Sequence, residues 1–130
     1  MHNAFKTWGL VADETLESVE RRIHDGCRVE DLQARGTHYV NALYAHFPQA
    51  APNATDAVME IGPGVGYIMQ AVMERFHPDQ LIGLDVAPPM LEHAQARLAR
   101  DHVDTSHMAF RAYDGLAIPL ADRSIDRSHL

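Results

Sequence analysis

The chain's 130 residues are one domain's worth, 46% apolar with a net charge of −7. That composition argues against disorder, and against a nucleic-acid backbone as the main partner, which needs a basic footprint. Apolar runs fall far short of the ~20 residues that cross a bilayer, and the basic residues cluster no further than the pair Arg21-Arg22. Residues 1–20 carry no basic segment leading into an apolar core, and one cysteine, Cys27, excludes an internal disulfide, so a cytoplasmic, reducing setting is expected. Nine histidines (His2, His24, His38, His46, His77, His93, His102, His107 and His129) are scattered, with no two at ligand spacing beside a cysteine or carboxylate. No metal is expected.

Residues 1–12 are mixed, with Phe5, Trp8, Leu10 and Val11 as anchors. Asp13-Glu14-Thr15 supplies capping-type residues ahead of Leu16, Val19 and Ile23, whose i, i+3, i+7 spacing predicts one helical face, stopped by Gly26. A second helical stretch is predicted from Val29 to Arg35. Gly36-Thr37 opens a third, with Tyr39, Val40, Leu43, Tyr44 and Phe47 as its apolar stripe and Pro48 as its end. Residues 49–55, with Pro52, Asn53 and Thr55, form a linker, which sets residues 1–55 apart as a helical cap.

From Asp56 strands and helices alternate. Ala57 to Ile61 is a short apolar strand interrupted by Glu60, and after Gly66 the residues Ile68, Met69, Val72, Met73 and Phe76 fall at helical spacing until His77-Pro78. Leu81-Ile82-Gly83-Leu84 is a second strand ending at Asp85. Pro88-Pro89 fits the first turn of the next helix, where a missing amide hydrogen costs nothing, and Met90, Leu91, Ala94 and Leu98 form its buried face. A third strand fits Ser106 to Tyr113, ending at Asp114. This order implies right-handed crossovers and a parallel α/β sheet.

The stretch between the first strand and its helix, Gly62-Pro63-Gly64-Val65-Gly66, is where backbone can adopt positive φ and approach a ligand without a Cβ in the way. A turn there aims helix amides at an anionic group, outside the carboxyl ends of the strands. Asp85 stands 23 residues after Gly62, placed to accept hydrogen bonds from ribose hydroxyls. Either a dinucleotide or another adenosyl ligand satisfies that much. The dinucleotide fingerprint is G-x-G-x-x-G, whereas here the third glycine comes one position early and Tyr67 occupies the fingerprint's place. Glu60, two residues before the first glycine, would repel a pyrophosphate but suits an ammonium group.

The run Val58-Met59-Glu60-Ile61-Gly62-Pro63-Gly64-Val65-Gly66 resembles the first motif of the Rossmann-like (class I) S-adenosylmethionine-dependent methyltransferases. Leu81 through Leu91 resembles their second motif, and Asp114 with Leu116 through Asp126 resembles the end of their third strand and the approach to the fourth. The resemblance spans about residues 56–126. It implies S-adenosyl-L-methionine as cofactor, with Gly62, Pro63, Gly64 and Gly66 around its methionine portion and Glu60 on its amino group. It further implies Asp85 on the ribose hydroxyls, Val86 and Met90 against the adenine, and Asp114 with the Gly115 amide at the adenine edge. Read singly, Glu60 is a strand-end residue and Asp85 and Asp114 are helix or turn caps. Two positions depart from the family: Ala87 stands where relatives carry a capping hydroxyl, and Tyr113 replaces a small residue.

Relatives continue past the position of Asp126 with an apolar fourth strand beside the first, whereas here Arg127-Ser128-His129-Leu130 follow. The expectation is an incomplete Rossmann-like sheet of the first three strands, the N-terminal portion of a methyltransferase or a shortened gene product. Its first strand would be an open edge for pairing with another chain or a second copy. The acceptor implied is a small molecule. Tyr39, His38 and His129 are the conceivable general bases, but cap packing, surface and a frayed chain end are the favoured readings of the three, and none is assigned as catalytic. Two other classes stand beside this one, a cofactor-binding partner subunit without turnover and a nicotinamide-dependent oxidoreductase.

Overall fold

Strand β1 (Ala57–Ile61) lies inside a four-stranded parallel sheet, with β2 (Gln80–Asp85) and then β3 (Met108–Ala112) on one side and β4 (Arg127–His129) on the other. The structure is a computed structural model describing residues 15–23 and 28–129. The anchors Phe5, Trp8, Leu10 and Val11, the pair Asp13-Glu14 and the stop at Gly26 lie outside the described residues. Helices α1 (Leu16–Ile23) and α2 (Leu32–His46) precede the sheet, and α3 (Tyr67–Phe76) and α4 (Pro88–Arg100) form its crossovers. Among the described residues no helix is long and apolar enough to cross a membrane.

The period-2 pattern of the strands decides the core. Val58, Leu81 and Met108 are register partners, and Phe110 sits beside Gly83 two residues on, so all share one face. That face meets Met69 and Val72 of α3 and Val40 and Tyr44 of α2, with the Tyr44 and Phe76 rings edge-on at 4.9 Å. Gly83 is needed there: a Cβ would stand 2.9 Å from the Met69 sulfur and 3.1 Å from Pro63 Cγ. A second cluster joins Val19 of α1 and Leu32 of α2 to Val65, Tyr67, Ala87 and Met90. The N-terminal helices therefore pack directly against the glycine turn and the start of α4.

Three sequence expectations are corrected. Gly36 does not separate two helices: α2 runs through it from Leu32 to His46, after a 3-10 turn at Val29–Asp31. The glycine is buried at the α2–α3 contact, where a Cβ would come within 2.8 Å of the Tyr67 carbonyl oxygen. Close approach, not chain breaking, explains it.

The sheet also has a fourth strand, so β1 is not an open edge. Val58, Met59 and Glu60 pair with Arg127, Ser128 and His129. The pairing begins with Asp126, whose amide donates to the Ala57 carbonyl (2.8 Å) while its carboxylate accepts from the Ala57 amide (2.8 Å). Ladder bonds are made by backbone and are indifferent to side-chain polarity, which is how the polar run Arg127-Ser128-His129 forms a strand. The expected pairing through an exposed first strand is withdrawn. The third strand is shorter than expected, Met108–Ala112 rather than Ser106 to Tyr113.

Gly→Ala in a helix interior ordinarily stabilises by up to about 1 kcal/mol. At Gly36 the sign should reverse, because the neighbour in the way is backbone: Gly36→Ala is expected to destabilise by about 1–3 kcal/mol in chemical denaturation. A gain in stability would show that α2 and α3 do not approach this closely.

Candidate functional site

The carboxyl ends of β1, β2 and β3 come out side by side, stitched by backbone bonds. The Gly62 amide donates to the Leu84 carbonyl (2.8 Å) and the Tyr113 amide to the Asp85 carbonyl (3.1 Å). The chain then turns through Gly62 (φ 71°), Gly64 (φ 59°) and Gly66 (φ 86°), a region costing an L residue roughly 1–2 kcal/mol. Inside the turn the Gly66 amide donates to the Pro63 carbonyl (3.0 Å), and the Gly66 carbonyl accepts from the Gln70 amide (2.9 Å) to start α3. Among the described residues a Cβ on Gly62 or Gly64 would meet nothing within 4 Å, whereas one on Gly66 would touch Leu98 at 3.4 Å. As far as the described residues go, the turn is open above its first two glycines and packed below its third.

Glu60 stands two residues before this turn, 5% exposed, and among the described residues its Oε2 has no hydrogen-bond partner. Burial pushes its carboxyl up to about 8, because nothing described beside it stabilises the charge. A buried carboxylate aimed at nothing is costly unless a cation or donor arrives.

Asp85, half-buried at the end of β2, accepts the Ala87 amide on Oδ1 (3.0 Å). Burial raises its carboxyl, opposed by the amides of Ala87 and Val86. Ala87 is the N-cap of α4 with no side-chain cap; Asp85 takes the Ala87 amide itself, while the Met90 amide, which a hydroxyl at 87 would accept, donates to the Ala87 carbonyl (2.9 Å). Gly115 (φ 85°) brings the loop after β3 against Val86, where a Cβ would come within 3.2 Å of Val86 Cγ1. Asp114 is exposed and caps its own turn, accepting the amides of Leu116 (2.8 Å) and Ala117 (3.0 Å), which hold its carboxyl below the usual range. Met90 lies in the core under α1. Glu60, Gly62, Pro63, Gly64, Gly66, Asp85, Val86 and Gly115 thus share one edge of the sheet, with Asp114 at its rim and Met90 beneath.

Tyr39 and His38 are exposed on α2, off its buried face of Leu32, Gly36, Val40 and Tyr44. The side chain of His129 lies outside the described residues; its backbone pairs with Glu60. Among the described residues no group of three His, Cys, Asp or Glu side chains is set to hold a metal ion. A cleft of about 590 Å³ opens at the opposite edge of the sheet, lined by Glu74, His77, Asp79, Asp101 and His107 among others. Its Asp101 is already bonded to Arg97 and Arg100.

The expected residues leave out a buried polar network behind the turn. Glu20 and Arg97 are fully buried. The Tyr67 hydroxyl donates to Glu20 Oε2 (2.8 Å), Arg100 Nη1 donates to Glu20 Oε1 (2.7 Å), and Arg97 Nε donates to the Val65 carbonyl (3.0 Å). Burial, then the bond to Glu20, pushes the Tyr67 phenol up to about 12. The signal was present in the spacing: Glu20 lies on the Leu16–Val19–Ile23 face and Arg97 on the Met90–Ala94–Leu98 face.

The model of the family described as "Methyltransferase domain" matches residues 58–130, more than half of the chain. The chain belongs to this family. S-adenosyl-L-methionine is the methyl donor the family implies, and the match takes in β1, the glycine turn, both aspartates and β4. The methyltransferase fold is shared by solved structures at low identity. One is a chain of a complex that contains the Haloferax volcanii Trm112 methyltransferase activator, 23% identical over 98% of this chain and 46% of that one, TM-score 0.60. Another is the Haemonchus contortus phosphoethanolamine N-methyltransferase 1 with phosphoethanolamine and S-adenosylhomocysteine, 17% identical over 96% and 24%, TM-score 0.62. A third is the Streptomyces coelicolor geranyl diphosphate C-methyltransferase with S-adenosylhomocysteine, 18% identical over 68% and 32%, TM-score 0.54. The chain spans a quarter to just under half of these structures, and the likeness establishes the fold. No curated protein matches the sequence.

Glu60 makes stability depend on pH in a definite direction. Its folded-state carboxyl keeps its proton up to about 8, against 4.5 when unperturbed, so the folded protein holds more protons than the unfolded one across that window. Stability of the ligand-free protein is therefore expected to fall as pH rises from 4.5 toward 8. Glu60→Gln should remove most of that fall in thermal melts. Identical pH profiles for the two proteins would show that Glu60 has an ordinary partner.

Proposed function

We propose that this methyltransferase domain binds S-adenosyl-L-methionine at the carboxyl ends of β1, β2 and β3 and transfers its methyl group to a small-molecule acceptor. The observation that carries the proposal is Glu60, a buried carboxylate with no partner on Oε2 among the described residues, beside a turn left open above Gly62 and Gly64. An amino acid tail supplies what is missing there, an ammonium for Glu60 and a carboxylate for the amides of the turn. Gly62, Pro63, Gly64 and Gly66 would surround that tail. Asp85, already oriented by the Ala87 amide, would take the ribose hydroxyls, and Val86, Gly115 and Asp114 would border the adenine. Met90 would act from beneath, by seating Val19 and Ala87.

When bound, the cofactor supplies an electrophilic methyl group on a sulfonium. The chain's own task is to hold that group in line with an acceptor and to keep water out. The cap of residues 1–55 covers the cofactor half, residues 56–130, in this proposal, with Val19 and Leu32 packed on Val65 as the contact that supports it. The net charge of −7 favours a small acceptor over a nucleic acid, and the single cysteine suits a reducing, cytoplasmic setting.

Calorimetric titration with S-adenosylhomocysteine and with NAD separates the two adenosyl classes. Binding of the first alone is expected, with release of a proton near pH 7 as Glu60 ionises against the ammonium, read as an enthalpy that varies with buffer. Glu60→Gln and Asp85→Ala should each weaken binding by about tenfold or more, the scale of a charge-assisted hydrogen bond. Binding of NAD, or no binding of S-adenosylhomocysteine, would overturn the proposal. Transfer of a radiolabelled methyl group to small molecules of a cell extract then tests turnover.

A further inference from the structure

Arg97 stands where the pattern of α4 calls for an aliphatic side chain, on one face with Met90, Leu91, Ala94 and Leu98, and it is fully buried. Burying a guanidinium is costly unless its donors are met. Nε donates to the Val65 carbonyl (3.0 Å), and Nη1 donates to Gln70 Oε1 (2.5 Å) and to Asp101 Oδ2 (3.1 Å). The guanidinium carbon lies over the Tyr67 ring, 3.8 Å from its centroid. Nη2 has no partner among the described residues and sits 3.7 Å from where a Cβ on Gly66 would be.

Val65 lies between two glycines at positive φ, the least constrained backbone in the turn. Three bonds restrain that stretch among the described residues: the Gly66 amide on the Pro63 carbonyl, the Gln70 amide on the Gly66 carbonyl, and Arg97 on the Val65 carbonyl. The first closes the turn on itself, the second starts α3, and the third ties the turn to α4. Tyr67, the next residue, is fixed from the other side by Glu20, which Arg100 also grips. An arginine serving only to join α3 to α4 would need Gln70 of α3, with Asp101 at the end of its own helix to balance its charge, and not a carbonyl inside the glycine turn.

We propose that Arg97 is the positioning residue of the glycine turn, holding the Val65 carbonyl from beneath so that the backbone of Gly64 and Gly66 is set for the cofactor before it arrives. The benefit to binding rests on the function proposed above; the effect on the turn itself does not. Preorganisation of this kind lowers the ordering cost of binding and so raises affinity without a new ligand contact.

Hydrogen exchange of the Gly66 amide, read by NMR on the full chain without ligand, tests the effect on the turn, with the Gly62 amide on β2 as internal reference. Arg97→Met is expected to speed exchange at Gly66 by about tenfold relative to Gly62 and to weaken S-adenosylhomocysteine by a similar factor. Arg97→Lys, which keeps a donor able to reach Val65, should recover part of both. Asp101→Asn and Val72→Ala, which loosen the surroundings of Arg97 and the α3 core, should lower the melting temperature yet leave the Gly66-to-Gly62 ratio and the affinity within about twofold. If Val72→Ala matches Arg97→Met in both readouts, or Arg97→Met leaves the ratio unchanged, Arg97 only packs α4 and the proposal is overturned. Should Arg97→Met fail to fold, Arg97→Lys against the same controls decides. A wild-type chain that does not bind S-adenosylhomocysteine would overturn the proposed function, and the exchange ratio would still decide the role of Arg97.

Discussion

A carboxyl group taken out of water, with no hydrogen-bond partner on Oε2 among the described residues, sets the terms for the rest of this molecule. Glu60 sits in the middle of the sheet, between Gly83 of β2 and His129 of β4 in register, where solvent cannot compensate its charge. Three glycines follow within six residues, each at positive φ, and among the described residues the first two have nothing within 4 Å of a Cβ position. In the function proposed above, this carboxyl receives an ammonium and the turn's backbone a carboxylate, the two groups of a free amino acid tail.

What surrounds this edge keeps it rigid. α1 and the start of α2 close on Val65 and Tyr67 through an apolar cluster, and behind it the chain places charged groups that bond one another. Glu20 accepts from Tyr67 and Arg100, and Arg97 divides its donors between the turn and the facing helices. Removing one member of such a set leaves the others buried and unpaired, at a cost of about 3–5 kcal/mol for a fully buried pair. Arg100 is itself partly exposed, so its share is smaller. The same elements therefore close the cap and steady the turn.

The strand ends and the glycine turn at which the cofactor is proposed to bind were legible because their signals are local: glycine spacing, a carboxylate two residues before, an aspartate ending the next strand. Pro88-Pro89 and His77-Pro78 marked helix limits for the same reason, and α4 and α3 do begin and end there. Gly36 was misread since a glycine that breaks a helix and one that admits a neighbouring backbone look alike until the Tyr67 carbonyl is in place. β4 was missed since Arg127-Ser128-His129 lacks apolar residues, and what pairs it is Asp126 gripping Ala57, a contact across 69 positions. Arg97 and Glu20 fell on apolar faces at the right spacing, but charge in a core makes sense only once partners from three helices are seen together. Asp114 shows the reverse: a residue singled out for a ligand also caps its own turn.

Carboxyl-carbon NMR of Glu60 in the labelled full chain measures the central constraint without passing through stability or affinity. Without ligand, a titration midpoint near 8 is expected; with saturating S-adenosylhomocysteine it should fall well below neutrality as the ammonium takes its place beside the carboxylate. A midpoint in the ordinary carboxylate range of about 4–5 in the ligand-free protein, or one that saturation leaves unmoved, would contradict the assignment of this edge.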